Sequence, residues 1–301
     1  MMRNDLIPYI RNFGVYLTCS KICSKFLGRN FFLPKLRSYL FDNVFRYLDS
    51  NYYCDTNGSI GNDSPIWFMW WQDVDNMPEL IRATYNNRYR YSLNRPVVLI
   101  TKNNFSNYAP DSNYIYNQLV INHRISITHF SDYLRCELLY RHGGIWLDST
   151  ILMTSTFDDW VSDSSFFTIK KQAVANNSHI WTTYCLGSKR HSSFFKYILD
   201  FYNLYYKKYN TVIDYYLFDE IINLGYSYFP SIKQLIDSIP VNNVNALDAV
   251  SHLNDLEDEY VFPQDTYLYK LTWKNNFIKN INSKNTVYGK IISDYLGEFN
   301  V

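Results

Sequence analysis

The chain has 301 residues, of which 47% are apolar, enough for a sizeable core, and its 29 Lys plus Arg nearly balance 28 Asp plus Glu. That balance gives no global signature of nucleic-acid binding, so any electrostatic argument must be local. Five scattered cysteines (Cys19, Cys23, Cys54, Cys136 and Cys185) form neither a disulfide framework nor paired zinc spacings. Together with the lack of a secretion signal or a membrane-length apolar run, they predict a protein that stays in the reducing cytoplasm.

Between Arg3 and Arg46 the chain is basic. Arg3, Arg11, Lys21, Lys25, Arg29, Lys35, Arg37 and Arg46 face only Asp5 and Asp42. Apolar residues at helical spacing (Ile10, Phe13, Leu17; Leu36, Tyr39, Leu40, Val44) predict two or three short amphipathic helices, broken near Gly28 and Pro34. Two readings stay open for this arm: packing on the main body, or attraction to an anionic membrane surface or lipid-linked substrate. Residues 51–65, rich in Asn, Gly, Ser and Asp, read as a linker, dividing a basic helical extension (1–60) from a main domain (61–301).

From there strands and helices alternate. Residues 66–71, 96–101 and 144–152 read as strands, and 77–91 and 129–142 as helices. FFTIKK follows as a further extended segment, then helices over 192–209 and 212–225, the last ending at Gly225. The alternation predicts an α/β layer with a largely parallel sheet.

The stretch HFSDYLRCELLYRHGGIWLDSTIL, 129–152, carries the chemistry. Helical spacing puts Asp132 and Arg135 on one face with His129 behind, and Phe130, Leu134 and Leu138 on the apolar row. Gly143 or Gly144 supplies the left-handed cap. In a continuous strand Trp146, Asp148 and Thr150 share a face, and Asp148 lies toward the carboxyl end, where open α/β sheets bind ligands. A carboxylate there can reach ribose or sugar hydroxyls or a metal ion. A literal DXD at Asp73, Val74 and Asp75 comes too early for such a site, and Asp75 with Pro78 reads as a helix start.

HFSD-x-x-R followed by LL-x-x-x-GGIW-x-D-x-T resembles the capsular polysaccharide synthesis family of glycosyltransferases, relatives of the glucosyltransferase domains of large clostridial cytotoxins. IW-x-x-WWQ from Ile66, Pro78, IDYYLFD from Ile213 and YKLTWK from Tyr269 extend the resemblance over roughly residues 64 to 276. It implies a GT-A fold and a retaining hexosyl transfer from a UDP-sugar to a lipid-linked or oligosaccharide acceptor of a bacterial capsule or exopolysaccharide. It also implies that Asp132 holds donor-sugar hydroxyls, Arg135 contacts sugar and diphosphate, Asp148 is the first acid of the DXD element and Trp67 approaches the nucleotide base.

Arg135, Lys270 and Lys274 are the cations available to the leaving diphosphate. The chain departs from a full DXD at Asp148, Ser149 and Thr150, where the second acid is a hydroxyl. The expectation is therefore Mn²⁺ or Mg²⁺ held by Asp148 and leaning on the donor diphosphate. A further departure is Asp73, where the family has Gly. The rival readings are a noncatalytic carbohydrate-binding protein, which would not bind UDP, and a nucleotidyltransferase. The latter needs a basic, glycine-rich loop where this chain has acidic QDVDNMPE.

Overall fold

A computed structural model describes residues 6–49, 52, 57–172 and 179–296. Arg3, Asp5, Cys54 and much of the expected linker's first half lie outside the described residues. The principal N-terminal elements are helices α1 (Leu6–Leu27), α2 (Arg29–Asn43) and α3 (Glu79–Tyr91). The strands are β1 (Ile66–Met69), β2 (Val97–Ile100), β3 (Gly144–Leu147), β4 (Ile151–Met153), β5 (Phe166–Thr168), β6 (Cys185–Ser188) and β7 (Leu268–Lys270). Further helices span Ile127–His142, Ser193–Lys208, Leu217–Tyr228, Pro230–Asp237 and Val287–Leu296.

The chain forms two compact units. One comprises residues 1–55, 109–137 and 193–234, and the other 56–108, 138–192 and 235–301. The N-terminal helices are thus part of a larger helical unit. Phe13, Leu17, Leu36, Leu40, Tyr197, Tyr205 and Ile221 are buried in it.

Three of the six bases of α1 and α2 are matched by acids inside this unit. Arg29 pairs with Asp214 at 2.8 Å, Arg37 with the fully buried Glu220 at 2.7 Å, and Lys21 lies 3.9 Å from Asp214. The break at Gly28 (φ 83) is where it was expected. Pro34 sits inside α2, and the second interruption falls instead at Gly14 (φ 80) within α1. Nor does Gly225 end its helix, which runs Leu217–Tyr228. A Cβ at Gly225 would lie 2.6 Å from the Tyr197 ring, so glycine there admits a close helix neighbour.

In the second unit five strands form one sheet in the order β2-β1-β3-β6-β5. β1 runs parallel to both β2 and β3, while β6 is antiparallel to both β3 and β5, so four of the five strands point one way. This is the expected α/β layer with a largely parallel central sheet. Ile66, Ile145, Leu147, Ile151, Phe167 and Cys185 form its main core cluster.

The strand expected over 144–152 is two strands. β3 stops at Leu147, the chain turns through Asp148–Thr150 with Ile151 N–H donating to Asp148 O (3.0 Å), and β4 pairs with β7 in a separate two-stranded sheet. The single-strand alternation therefore breaks after Leu147. Strand β1 also ends two residues early, at Met69. Asp73 then adopts φ 73 and accepts a hydrogen bond from Val74 N–H at 2.8 Å. That positive φ, with ψ 170, is a backbone region that glycine adopts readily and other residues rarely, which is why a Gly suits this position. Helix α3 begins at Glu79 with Pro78 as its cap.

Candidate functional site

In the second unit β2 and β3 lie on opposite sides of β1, so the direction in which the sheet grows reverses at the β1–β3 pair. Ligands gather beyond the carboxyl ends of strands at such a point. Asp148 is the first residue past β3 there. Two glycines set the chain up for it: Gly143 (φ 68) donates its N–H to Leu139 O at 3.0 Å, and Gly144 (φ 94) follows. A Cβ at Gly144 would come within 2.3 Å of Pro65 O, and one at Gly143 within 2.9 Å of the Ser188 carbonyl, so neither position admits a side chain.

The turn is held from below by a polar face of α3. Thr84 Oγ1 donates to Ser149 O at 2.6 Å, and Arg88 Nη2 to Asp148 O at 2.7 Å. Asn87 exchanges two 2.8 Å hydrogen bonds with the main chain of Met153. Arg88 is fully buried over the Phe68 ring. Burial pulls its guanidinium down to about 9, with the nearby Asp148 the largest opposing influence, so it still carries its charge at neutral pH. These α3 residues were not singled out by sequence. The available signal was polar side chains at 84, 87 and 88, spaced i, i+3, i+4 on a helix that also has to bury apolar ones.

With its main chain fixed, the Asp148 carboxylate accepts from Trp146 and Lys270. Trp146 Nε1 reaches Oδ1 at 3.0 Å and Lys270 Nζ reaches Oδ2 at 2.8 Å. The lysine comes from 122 positions away because β4 pairs with β7 in the register Ile151–Lys270, beside the turn. Each side chain of the pair is 26% exposed, open enough to meet a ligand. Lys270 Nζ also lies 5.4 Å from the centre of the Tyr184 ring, whose hydroxyl is pushed upward in pKa mainly by burial.

The remaining donor residues named from sequence are placed differently. Trp67 is only 2% exposed, donates Nε1–H to Gly143 O at 2.8 Å and packs on Tyr108 and His142, so its ring has no open face. The accessible indoles are elsewhere. Trp70, just past β1, meets Trp273 edge to face at 5.8 Å, and Trp273 is 43% exposed beside the exposed Lys274. Ser149 contributes its carbonyl to Thr84. Thr150 is buried, and its hydroxyl has no hydrogen-bond partner among the described residues.

This donor set does not fit a resident Mn²⁺ or Mg²⁺. Such ions need several oxygen ligands. Asp148 is a lone carboxylate with an ammonium against it, Thr150 points into the interior, and the described residues hold no group of three His, Cys, Asp or Glu side chains suited to a metal.

Asp132 and Arg135 belong to the first unit and form the helical pair expected from their spacing, Nη2 to Oδ1 at 2.9 Å. Arg135 also donates to Ser131 O and Oγ, both at 3.1 Å, and is almost fully buried, whereas Asp132 keeps partial exposure. His129, one turn earlier, bonds Ser126 Oγ through Nδ1 at 2.9 Å. Its charged form is disfavoured chiefly by burial.

A family model described as Capsular polysaccharide synthesis protein matches residues 21–291. No curated protein matches the chain. Among solved structures a protein titled PaToxG Glycosyltransferase is similar at 13% identity and a TM-score of 0.35, over 58% of this chain and 78% of that one. With a family match over most of its length, this chain belongs to the capsular polysaccharide synthesis protein family.

Proposed function

We propose that the protein is a retaining glycosyltransferase. It moves a hexose from a UDP-sugar onto a lipid-linked or oligosaccharide acceptor in bacterial capsular or exopolysaccharide biosynthesis, and it acts in the cytoplasm, where nucleotide sugars are made. The observation that carries the reading is the partly exposed Asp148–Lys270 pair at the sheet's switch point, in a chain of this family. A carboxylate accepts hydrogen bonds from sugar or ribose hydroxyls, and an ammonium stabilises a departing diphosphate.

In the reaction the bond between the anomeric carbon and the β-phosphate oxygen breaks. Lys270 meets the negative charge that develops on that oxygen. The acceptor hydroxyl bonds to the same face of the anomeric carbon, and its proton passes to the departing phosphate oxygen. Arg88 and Trp146 fix the turn and the carboxylate so that neither must reorganise during transfer. The exposed Trp273 face, steadied by Trp70, suits stacking on a base or sugar. In the first unit Asp132, oriented by Arg135, is open to accept from a hydroxyl.

The test is to incubate the protein with a panel of nucleotide sugars and follow UDP release with and without a membrane lipid extract. Release from one UDP-sugar, increased by the extract, is the expected result. Binding of saccharide with no affinity for UDP would mean a carbohydrate-binding protein instead.

A further inference from the structure

Beyond its Gly14 kink, α1 is apolar on two sides. Leu17 packs inward, while Val15, Tyr16, Ile22, Phe26 and Leu27 are exposed, as is Phe31 at the start of α2. Tyr16 is 71% exposed and Phe26 86%. A helix that is apolar all round is normally buried on all sides, and single exposed apolar residues need no explanation whereas a contiguous face does. At about 100° per residue Val15, Ile22 and Phe26 fall within roughly 40° of one another, with Tyr16 and Leu27 on the flank beside them, so the exposed set lies on one side of the helix beyond Gly14.

The charge around this face selects its partner. No acid occurs anywhere between Leu6 and Leu27, while Arg11, Lys21 and Lys25 do. Lys21 is drawn to Asp214 within the unit, whereas Arg11 and Lys25 are solvent-exposed. No described helix is long and apolar enough to cross a membrane. An exposed apolar face on a helix that itself carries bases and no acid is the pattern of a helix lying in the headgroup region of an anionic bilayer.

We infer that the outer face of α1, with Phe31 of α2, is a monotopic docking surface for an anionic membrane. Phe26 and Leu27 enter the acyl boundary, and Lys25 and Arg11 meet the headgroups. Apolar insertion dominates, since Arg29 and Arg37, which a count of bases would enlist, are committed to Asp214 and Glu220.

The experiment is flotation of the full chain with vesicles of equal parts phosphatidylglycerol and phosphatidylcholine, and with phosphatidylcholine alone. The wild type should float with the anionic vesicles and several-fold less with the neutral ones. The double substitution Phe26→Ser with Leu27→Ser should weaken flotation at least about 30-fold, the scale expected for two large side chains withdrawn from an apolar phase. Lys25→Glu should weaken it several-fold on anionic vesicles alone. A Phe26→Trp variant provides a local readout, its fluorescence shifting to the blue when vesicles are added. Flotation unchanged by the double substitution, or no vesicle-dependent shift at Trp, overturns the inference. So does self-association without vesicles that the double substitution abolishes, which would make a second copy of the chain the cover. None of these readouts involves glycosyl transfer, so their failure is distinct from failure of the proposed activity.

Discussion

Two acid–base pairs stand out in this molecule, and they differ in how they are made and in what they can do. Asp132 and Arg135 are three residues apart on one helix, and the guanidinium is buried. Asp148 and Lys270 are 122 residues apart, joined by the β4–β7 register, and each is 26% exposed. The first is a local, enclosed pair in which the base orients the acid. The second is a long-range, open pair whose members can exchange each other for a ligand at little desolvation cost. Enclosure suits positioning, and openness suits contact with a substrate.

The comparison is broken most severely at Asp148. Asp148→Asn should lower kcat/KM for UDP-sugar turnover by about 3 kcal/mol, on the order of a hundredfold, with the thermal midpoint unchanged. The turn's main chain is held by Arg88 and Thr84, not by the carboxylate. Turnover equal to wild type in a folded variant would remove Asp148 from the mechanism.

Arg135→Met addresses the enclosed pair. It leaves Asp132 without its buried partner and should cost about 2–3 kcal/mol of unfolding free energy, measured by denaturant titration. A loss of activity with stability intact would place Arg135 on the substrate instead of behind Asp132.

Helical spacing made the Asp132–Arg135 pair legible in the sequence, and the glycine pair and strand-end acid marked where Asp148 would stand. Lys270 was named as a cation, but its pairing depends on a register between segments more than a hundred residues apart. The α3 residues Thr84, Asn87 and Arg88 were hidden for the same reason, because a polar helix face reads as solvent-facing until something packs on it. The continuous strand over 144–152 failed because an apolar run does not reveal a turn that hydrogen bonds from another element impose. In the arm, a count of bases missed Asp214 and Glu220, which come from far along the chain.

Smaller effects sharpen the picture. Gly225→Ala should destabilise the first unit by about 2 kcal/mol, since the new methyl meets the buried Tyr197 ring, and a neutral result would mean the helices can separate freely. Thr150→Val should be neutral or slightly stabilising, within about 1 kcal/mol, because the buried hydroxyl lacks a described partner. A large loss of turnover without destabilisation would instead make Thr150 a ligand.

The smallest effect is a pH dependence at His129. Burial lowers its pKa below the ordinary 6.5, so as pH falls through that value the unfolded chain takes up the proton first and stability declines. His129→Phe should flatten that decline in a series of thermal melts. An unchanged slope would assign the acid sensitivity elsewhere.

The most direct test of the central claim is calorimetric titration of UDP into the full chain and into Lys270→Met, each in EDTA. If Lys270 is the cation that meets the diphosphate, the wild type binds UDP without a divalent ion, and Lys270→Met loses about tenfold or more in affinity while melting at the same temperature. Binding that appears only when Mn²⁺ or Mg²⁺ is restored, or that is indifferent to Lys270, would contradict the account.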